Sequence, residues 1–185
     1  MYKNLLKVGV IGYSGSIDSL PVLEVADISY ELGKELGKLG VVVLTGGRDG
    51  VMHLVSKGAA ENGAIVIGIT PYRDAGLTPF AIEISTGLDM AMRSGVLLNS
   101  SDVVISIGGA AGTAIEIFMA YSYRKPLILL QGTGGWTDRI IKILQEDETL
   151  NGNSLDYRLA GNVFIANNIE DVIKIVAKYK VIKCT

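Results

Sequence analysis

The chain has one cysteine and one histidine, and no uncharged apolar run approaches the ~18 residues that a membrane-spanning helix needs. Each shortage closes a class. A lone cysteine, Cys184 beside the C-terminus, can form neither an internal disulfide nor a zinc site, which points to a reducing, cytoplasmic location. A Ser–His–Asp triad would depend on His53, which stands in an apolar helical context where a structural histidine is the ordinary occupant. Net charge is small: 17 basic against 19 acidic residues give a formal -2, so no basic footprint marks a nucleic-acid partner. No membrane partner is expected, and the residues before the first strand leave no room for a signal peptide.

Glycine and aliphatic side chains are plentiful. With 23 glycines and a 49% hydrophobic share, the chain reads as many tight connections around a substantial core. Its 185 residues suit one α/β domain spanning residues 1–185. Short uninterrupted apolar runs at 8–11, 41–44, 65–69, 103–107 and 127–130 have the character of strands buried on both faces. A shorter extended piece at 81–84 and a last strand at 163–166 complete the set. Between them lie helical periodicities. Pro21 suits a first helical position, and Val25, Ile28, Leu32, Leu36 and Leu39 then line one face, with Glu31–Lys34 and Glu35–Lys38 pairs opposite and Gly40 closing the helix. Further helices are expected at 51–62, 88–98, from the 108–112 loop to about Tyr123, at 138–144, and around Ile169, Val172, Ile173 and Val176. Such alternation predicts a Rossmann-like parallel sheet with helices on both faces and right-handed crossovers.

Three glycine loops follow strand ends, at 12–16, 46–50 and 108–112, where ligands of such sheets bind. In the last, residues 103–107 run into Gly108-Gly109-Ala110-Ala111-Gly112-Thr113 and on into an apolar helix. Glycines let the backbone approach a ligand, and the first helical turn offers free N–H groups and a positive dipole end to a phosphate. Glu116, one turn further in, can reach a sugar. The candidate phosphate and nucleotide contacts are Gly12, Ser14, Gly15, Gly46, Gly47, Gly50, Met52, Gly108, Gly109, Ala110, Ala111, Gly112 and Thr113. Two common nucleotide signatures fail. There is no Gly-x-x-x-x-Gly-Lys-Ser/Thr, and the first loop reads Gly9-x-x-Gly12-x-x-Gly15, with Thr45-Gly46 after the second strand where a ribose-binding acid would stand. A P-loop triphosphatase and a dehydrogenase are thereby disfavoured.

Thr45-Gly46-Gly47-Arg48-Asp49-Gly50-Val51-Met52 resembles the Gly-Gly-x-x-Gly-Leu-Met segment of the LOG-like ("lysine decarboxylase-like") Rossmann superfamily. Gly109 through Glu116 resembles its Pro-Gly-Gly-x-Gly-Thr-x-x-Glu signature, and Met90-Ala91-Met92-Arg93 its Met-x-x-Arg. Gly108 stands for the family proline, Ala110 for a motif glycine, and Ser94 for the lysine that usually follows the arginine. These departures resemble a branch that is also similar to molybdenum-cofactor carrier proteins. The motifs contain no lysine for pyridoxal-phosphate chemistry, so decarboxylation is not implied.

The resemblance implies hydrolysis of a nucleoside 5′-monophosphate to free base and ribose 5-phosphate, without a metal or required cofactor, with Arg93 and Glu116 as the functional pair. It implies equally a carrier or storage protein for a molybdopterin-type ligand, or a nucleotide sensor without chemistry. Intact Glu116 and Arg93 favour the enzyme; Ser94 and the altered signature favour binding alone. The partner is a small phosphorylated molecule, and the apolar helix holding Phe118, Met119 and Tyr121 predicts a homo-oligomer. Locally, Thr113-x-x-Glu116 also fits a capping box, in which Thr113 bonds the helix start and Glu116 reaches back. The glycine loop before it favours the ligand role. Arg48 reads as a solvated loop arginine, Trp136 as a packing anchor and Asp102 as a strand-edge or turn residue.

Overall fold

The computed structural model describes residues 5–73, 76–150, 152–158 and 163–184; the expectation for residues 1–4 and that for the Cys184 side chain fall outside what is described. Among the described residues, seven strands form one sheet: β1 (Lys7–Gly12), β2 (Val42–Thr45), β3 (Ile65–Thr70), β4 (Ile82–Ser85), β5 (Val103–Ile107), β6 (Leu127–Leu130) and β7 (Val163–Ala166). Their order is β4-β3-β2-β1-β5-β6-β7, and every pairing is parallel. The sheet thus grows in one direction from β1 to β4 and in the other from β5 to β7. The reversal falls between β1 and β5, which pair with Gly12 opposite Ile107 at their carboxyl ends.

Helices cover both faces, as uninterrupted apolar strands require. α1 (Ala26–Leu39), α2 (Gly50–Glu61) and α6 (Ile169–Cys184) bury Leu32, Leu36, Val51, Val55, Val172 and Val176 against Val8, Val10, Val43 and Ile105. α3 (Met90–Ser100), α4 (Ala111–Ser122) and α5 (Gly135–Glu146) bury Leu97, Leu98, Ile117, Ile140 and Leu144 against Ile11, Val104, Leu127 and Leu129. The predicted pairs on α1 are present, Lys34–Glu31 at 2.9 Å and Lys38–Glu35 at 2.6 Å, and Gly40 caps that helix in a left-handed conformation. Among the described residues no helix is long and apolar enough to cross a membrane.

Several boundaries differ from the sequence reading. Pro21 does not open α1: a short 3-10 turn at Leu23–Val25 intervenes, and the α-helix begins at Ala26. α5 starts at Gly135 because the Asp138 carboxylate accepts the N–H groups of Gly132 (2.9 Å) and Gly134 (2.8 Å), fixing the turn before it. β4 is a full edge strand, paired with β3 from Ile82 to Ser85.

Candidate functional site

A cavity of about 420 Å³ opens beyond the carboxyl ends of β1, β2 and β5, within the roughly 300–1,000 Å³ usual for small-molecule sites. It is lined by Gly12, Tyr13 and Ser14 after β1, by Gly46, Arg48, Asp49 and Met52 after β2, and by Ala110, Gly112, Thr113, Ile115 and Glu116 after β5. Met90, Ala91, Arg93, Ser94 and Leu97 of α3 close the remaining side. Their spacing places them on one helical face.

The loop from β5 to α4 is fastened from behind. Gly108 donates its N–H to Thr133 Oγ1 (2.8 Å), and its carbonyl accepts from Thr137 Oγ1 (2.7 Å) and Thr137 N–H (3.1 Å). Gly108 and Gly109 have φ of 58° and 97°, a region that strains other residues, and a side chain at 108 would collide with the Tyr13 ring. Held this way, the chain enters α4 at Ala111 with Ala110 as N-cap and no side-chain cap. The first intrahelical bond runs from Ala114 N–H to the Ala110 carbonyl (3.1 Å), so the amides of Ala111, Gly112 and Thr113 precede the helical ladder. Gly112 faces open space: nothing lies within 4 Å of where its Cβ would be.

The capping box does not form. Thr113 is already inside α4, and its Oγ1 donates to the Gly12 carbonyl (3.1 Å), tying α4 to β1. Glu116 points instead toward α3, where its Oε1 accepts a 2.7 Å hydrogen bond from Ser94 Oγ. α3 is itself set by Asp89, whose Oδ1 accepts the N–H groups of Ala91 (2.9 Å) and Met92 (2.8 Å).

Arg93 is 5% exposed, and its Nε and Nη1 have no hydrogen-bond partner among the described residues. Its guanidinium packs on Gly46, where a Cβ would stand 2.5 Å from Met52 Sδ and 2.7 Å from Arg93 Nη2. Burial works against the arginine's charge; the Glu116 carboxylate opposes that effect and Arg48 adds to it. Guanidinium nonetheless stays protonated in proteins. Burial likewise raises the proton affinity of Glu116, with the Ser94 hydrogen bond and the Arg93 charge pulling it down. A buried cation and a half-buried carboxylate thus share one cavity with a row of amides at a helix start. That set can hold an anion at one end and stabilise positive charge at the other.

Of the residues singled out from the sequence, Gly12, Ser14, Gly46, Met52, Arg93, Ala110, Gly112, Thr113 and Glu116 line the cavity. Gly15, Gly47, Gly50, Gly108, Gly109 and Ala111 are not among its lining residues. Gly47 lies against Gly68 and Leu77, Gly50 against the Tyr13–Ser14 backbone and Gly109 against the Thr113 side chain, while Gly15 donates its N–H to Asp49 Oδ1 (3.1 Å). His53 is outside it, with Nδ1 2.9 Å from Thr78 Oγ1 and its ring edge-on to Phe80. Asp102 accepts the Lys7 N–H (2.7 Å) and pairs with Lys183, which makes it structural. Trp136 packs on the α3–α5 side of the core, under Arg139. The sequence does not single out Tyr13; it marks Asp49 and Met90 only as members of motifs, Ser94 only as a departure from one and Arg48 as a solvated loop residue, yet all five line the cavity. The helical face Met90–Arg93–Ser94–Leu97 was the signal available for two of them.

This sheet order and the loop-built cavity at its reversal define the Rossmann-like α/β class. The chain belongs to the SLOG cluster4 family, whose profile matches residues 5–173, in agreement with the LOG-like motifs. A structural-genomics target solved by X-ray crystallography is 49% identical, with a TM-score of 0.88 over 94% of this chain and 99% of the other. The molybdenum cofactor carrier protein of Chlamydomonas reinhardtii is 30% identical with a TM-score of 0.75, covering 96% of this chain and 99% of that one. A probable cytokinin riboside 5′-monophosphate phosphoribohydrolase of Oryza sativa subsp. japonica is 31% identical over 134 residues, 66% of this chain and 63% of its own length.

Proposed function

We propose that the cavity binds a nucleoside 5′-monophosphate and that the protein is a phosphoribohydrolase, releasing free base and ribose 5-phosphate. The observation that carries this reading is the convergence of Arg93 and Glu116 from α3 and α4 on a cavity that also receives the free amides of the α4 start. The 5′-phosphate sits at the amides of residues 111–113, where the helix end favours negative charge. The N-glycosidic bond breaks with its electron pair leaving on the base, which takes up a proton. Positive charge builds on the ribosyl group beside the Glu116 carboxylate, and water adds at the anomeric carbon. Arg93 favours the ionised form of Glu116 against the opposing effect of burial, and it offers hydrogen-bond donors to the ligand. The likeness to the rice phosphoribohydrolase supports this chemistry. The test is incubation of ligand-free protein with each common nucleoside monophosphate. Equal amounts of base and ribose 5-phosphate support the reading, and binding without release ends it.

A second reading is a carrier of a molybdopterin-type ligand, which is phosphorylated as well. The observation favouring it is the likeness to the Chlamydomonas carrier, 30% identical over 96% of the chain. Native mass spectrometry of protein purified from its own host separates the two by the mass of what is bound. In either case Ile115 and Phe118, 54% and 46% exposed on α4, support self-association on that face.

A further inference from the structure

We propose that Ser94 is the positioning residue for Glu116: its hydroxyl aims the carboxylate across the cavity. This rests on the reading of Glu116 as the charge that meets the ligand. Ser94 is 5% exposed, and its oxygen has two acceptors in range, Glu116 Oε1 at 2.7 Å and the Met90 carbonyl at 3.4 Å. A hydroxyl has one proton to give, and the distances commit it to the carboxylate. The pair joins α3 to α4 across 22 residues of sequence, so it fixes the Glu116 rotamer from outside its own helix.

The charged and titratable groups facing Glu116 across the cavity are Arg93 of α3, Arg48 and Asp49 of the loop before α2, and Tyr13 of the loop after β1. Arg93 favours the ionised form through space, while burial favours the neutral acid. Ser94 makes the one direct hydrogen bond to Glu116 among the described residues. If Glu116 takes up a proton, the pair reverses: the acid donates to Ser94 Oγ, and the hydroxyl turns to the Met90 carbonyl. Such a pair holds the carboxylate by charge-dependent geometry rather than by packing.

The experiment follows the carboxyl carbon of Glu116 by 13C NMR through a pH titration of the ligand-free protein, assigned by its loss in Glu116→Gln. Ser94→Ala moves the midpoint upward by about one unit, a tenfold gain in proton affinity. Ser94→Thr, which keeps the hydroxyl, restores it. With a monophosphate substrate, Ser94→Ala also shifts the acid limb of kcat/KM to higher pH and lowers kcat more than it raises KM. A folded Ser94→Ala protein whose Glu116 midpoint does not move overturns the proposal. Absence of base release from the wild type ends the hydrolase reading and leaves the titration to decide this one.

Discussion

Arg93 lies against Gly46 with no room for a methyl group between them: a Cβ at position 46 would stand 2.7 Å from Nη2 and closer still to Nη1. Gly46→Ala therefore displaces the guanidinium or the Met52 thioether. Monophosphate affinity falls by about tenfold or more, and the fold loses about 1–3 kcal/mol from overpacking. Calorimetry and melting on the same variant measure both. Unchanged affinity would mean that neither Arg93 nor Met52 needs its present position to hold the ligand.

Gly112→Val makes the complementary test. Since nothing lies within 4 Å of a side chain starting at that position, the variant folds with a melting temperature close to wild type. The new side chain occupies the space over the first amides of α4, and phosphate binding is abolished. Retained binding in the folded variant places the phosphate elsewhere.

Glu116→Gln keeps the shape of the side chain and removes its charge. Turnover on a monophosphate drops by roughly a hundredfold or more, the scale of losing one electrostatic stabiliser. Affinity changes far less, because the phosphate contacts remain. Side-by-side kcat and Kd values decide it: parallel losses in both assign Glu116 to ground-state binding.

The acid limb of the pH profile carries a sign. Only ionised Glu116 opposes positive charge on the ribosyl group, and burial raises its proton affinity by more than Ser94 and Arg93 lower it. kcat/KM thus declines on the acid side through a midpoint above the ordinary glutamate value of about 4.3. The contribution of Glu116 to folding runs with the same shift. The folded state binds the proton more tightly than the unfolded one, so that contribution is greatest below the unfolded value and declines as pH rises through the raised one. A kinetic limb at or below the ordinary value contradicts the assignment.

Sedimentation at micromolar concentration tests self-association. Wild type runs as an oligomer, and Phe118→Asp, a charge on the exposed face of α4, shifts it toward monomer. A wild type that is monomeric throughout refutes the expectation.

The central strands were legible because burial on both faces leaves each one an uninterrupted apolar run, as in Val103–Ile107. β4 was read only as a short extended piece, since Ile82 and Ile84 are exposed at the sheet edge and no apolar run marks it. The glycine loops were visible because close packing demands glycine at positions such as Gly46 and Gly108. The Ser94–Glu116 bond was not, because it depends on how two helices sit together rather than on any local pattern. Thr113-x-x-Glu116 misled for the same reason: tertiary partners, the Gly12 carbonyl and Ser94, took both side chains that a capping box would have used.

Thr113 and Gly12 meet across 101 residues of chain, and their bond closes the cavity at the seam between β1 and β5. The pocket does not exist until β1, β2 and β5 have come together, because its walls come from the segments that follow those strands and from α3. An occupant is therefore linked to the separation of the central strands rather than to the fraying of a loop. At a hundredfold excess over its Kd such a compound adds about 2.7 kcal/mol to the folded state. Melting curves recorded across a panel of nucleotides and pterins can consequently rank ligands for this site before any reaction is known.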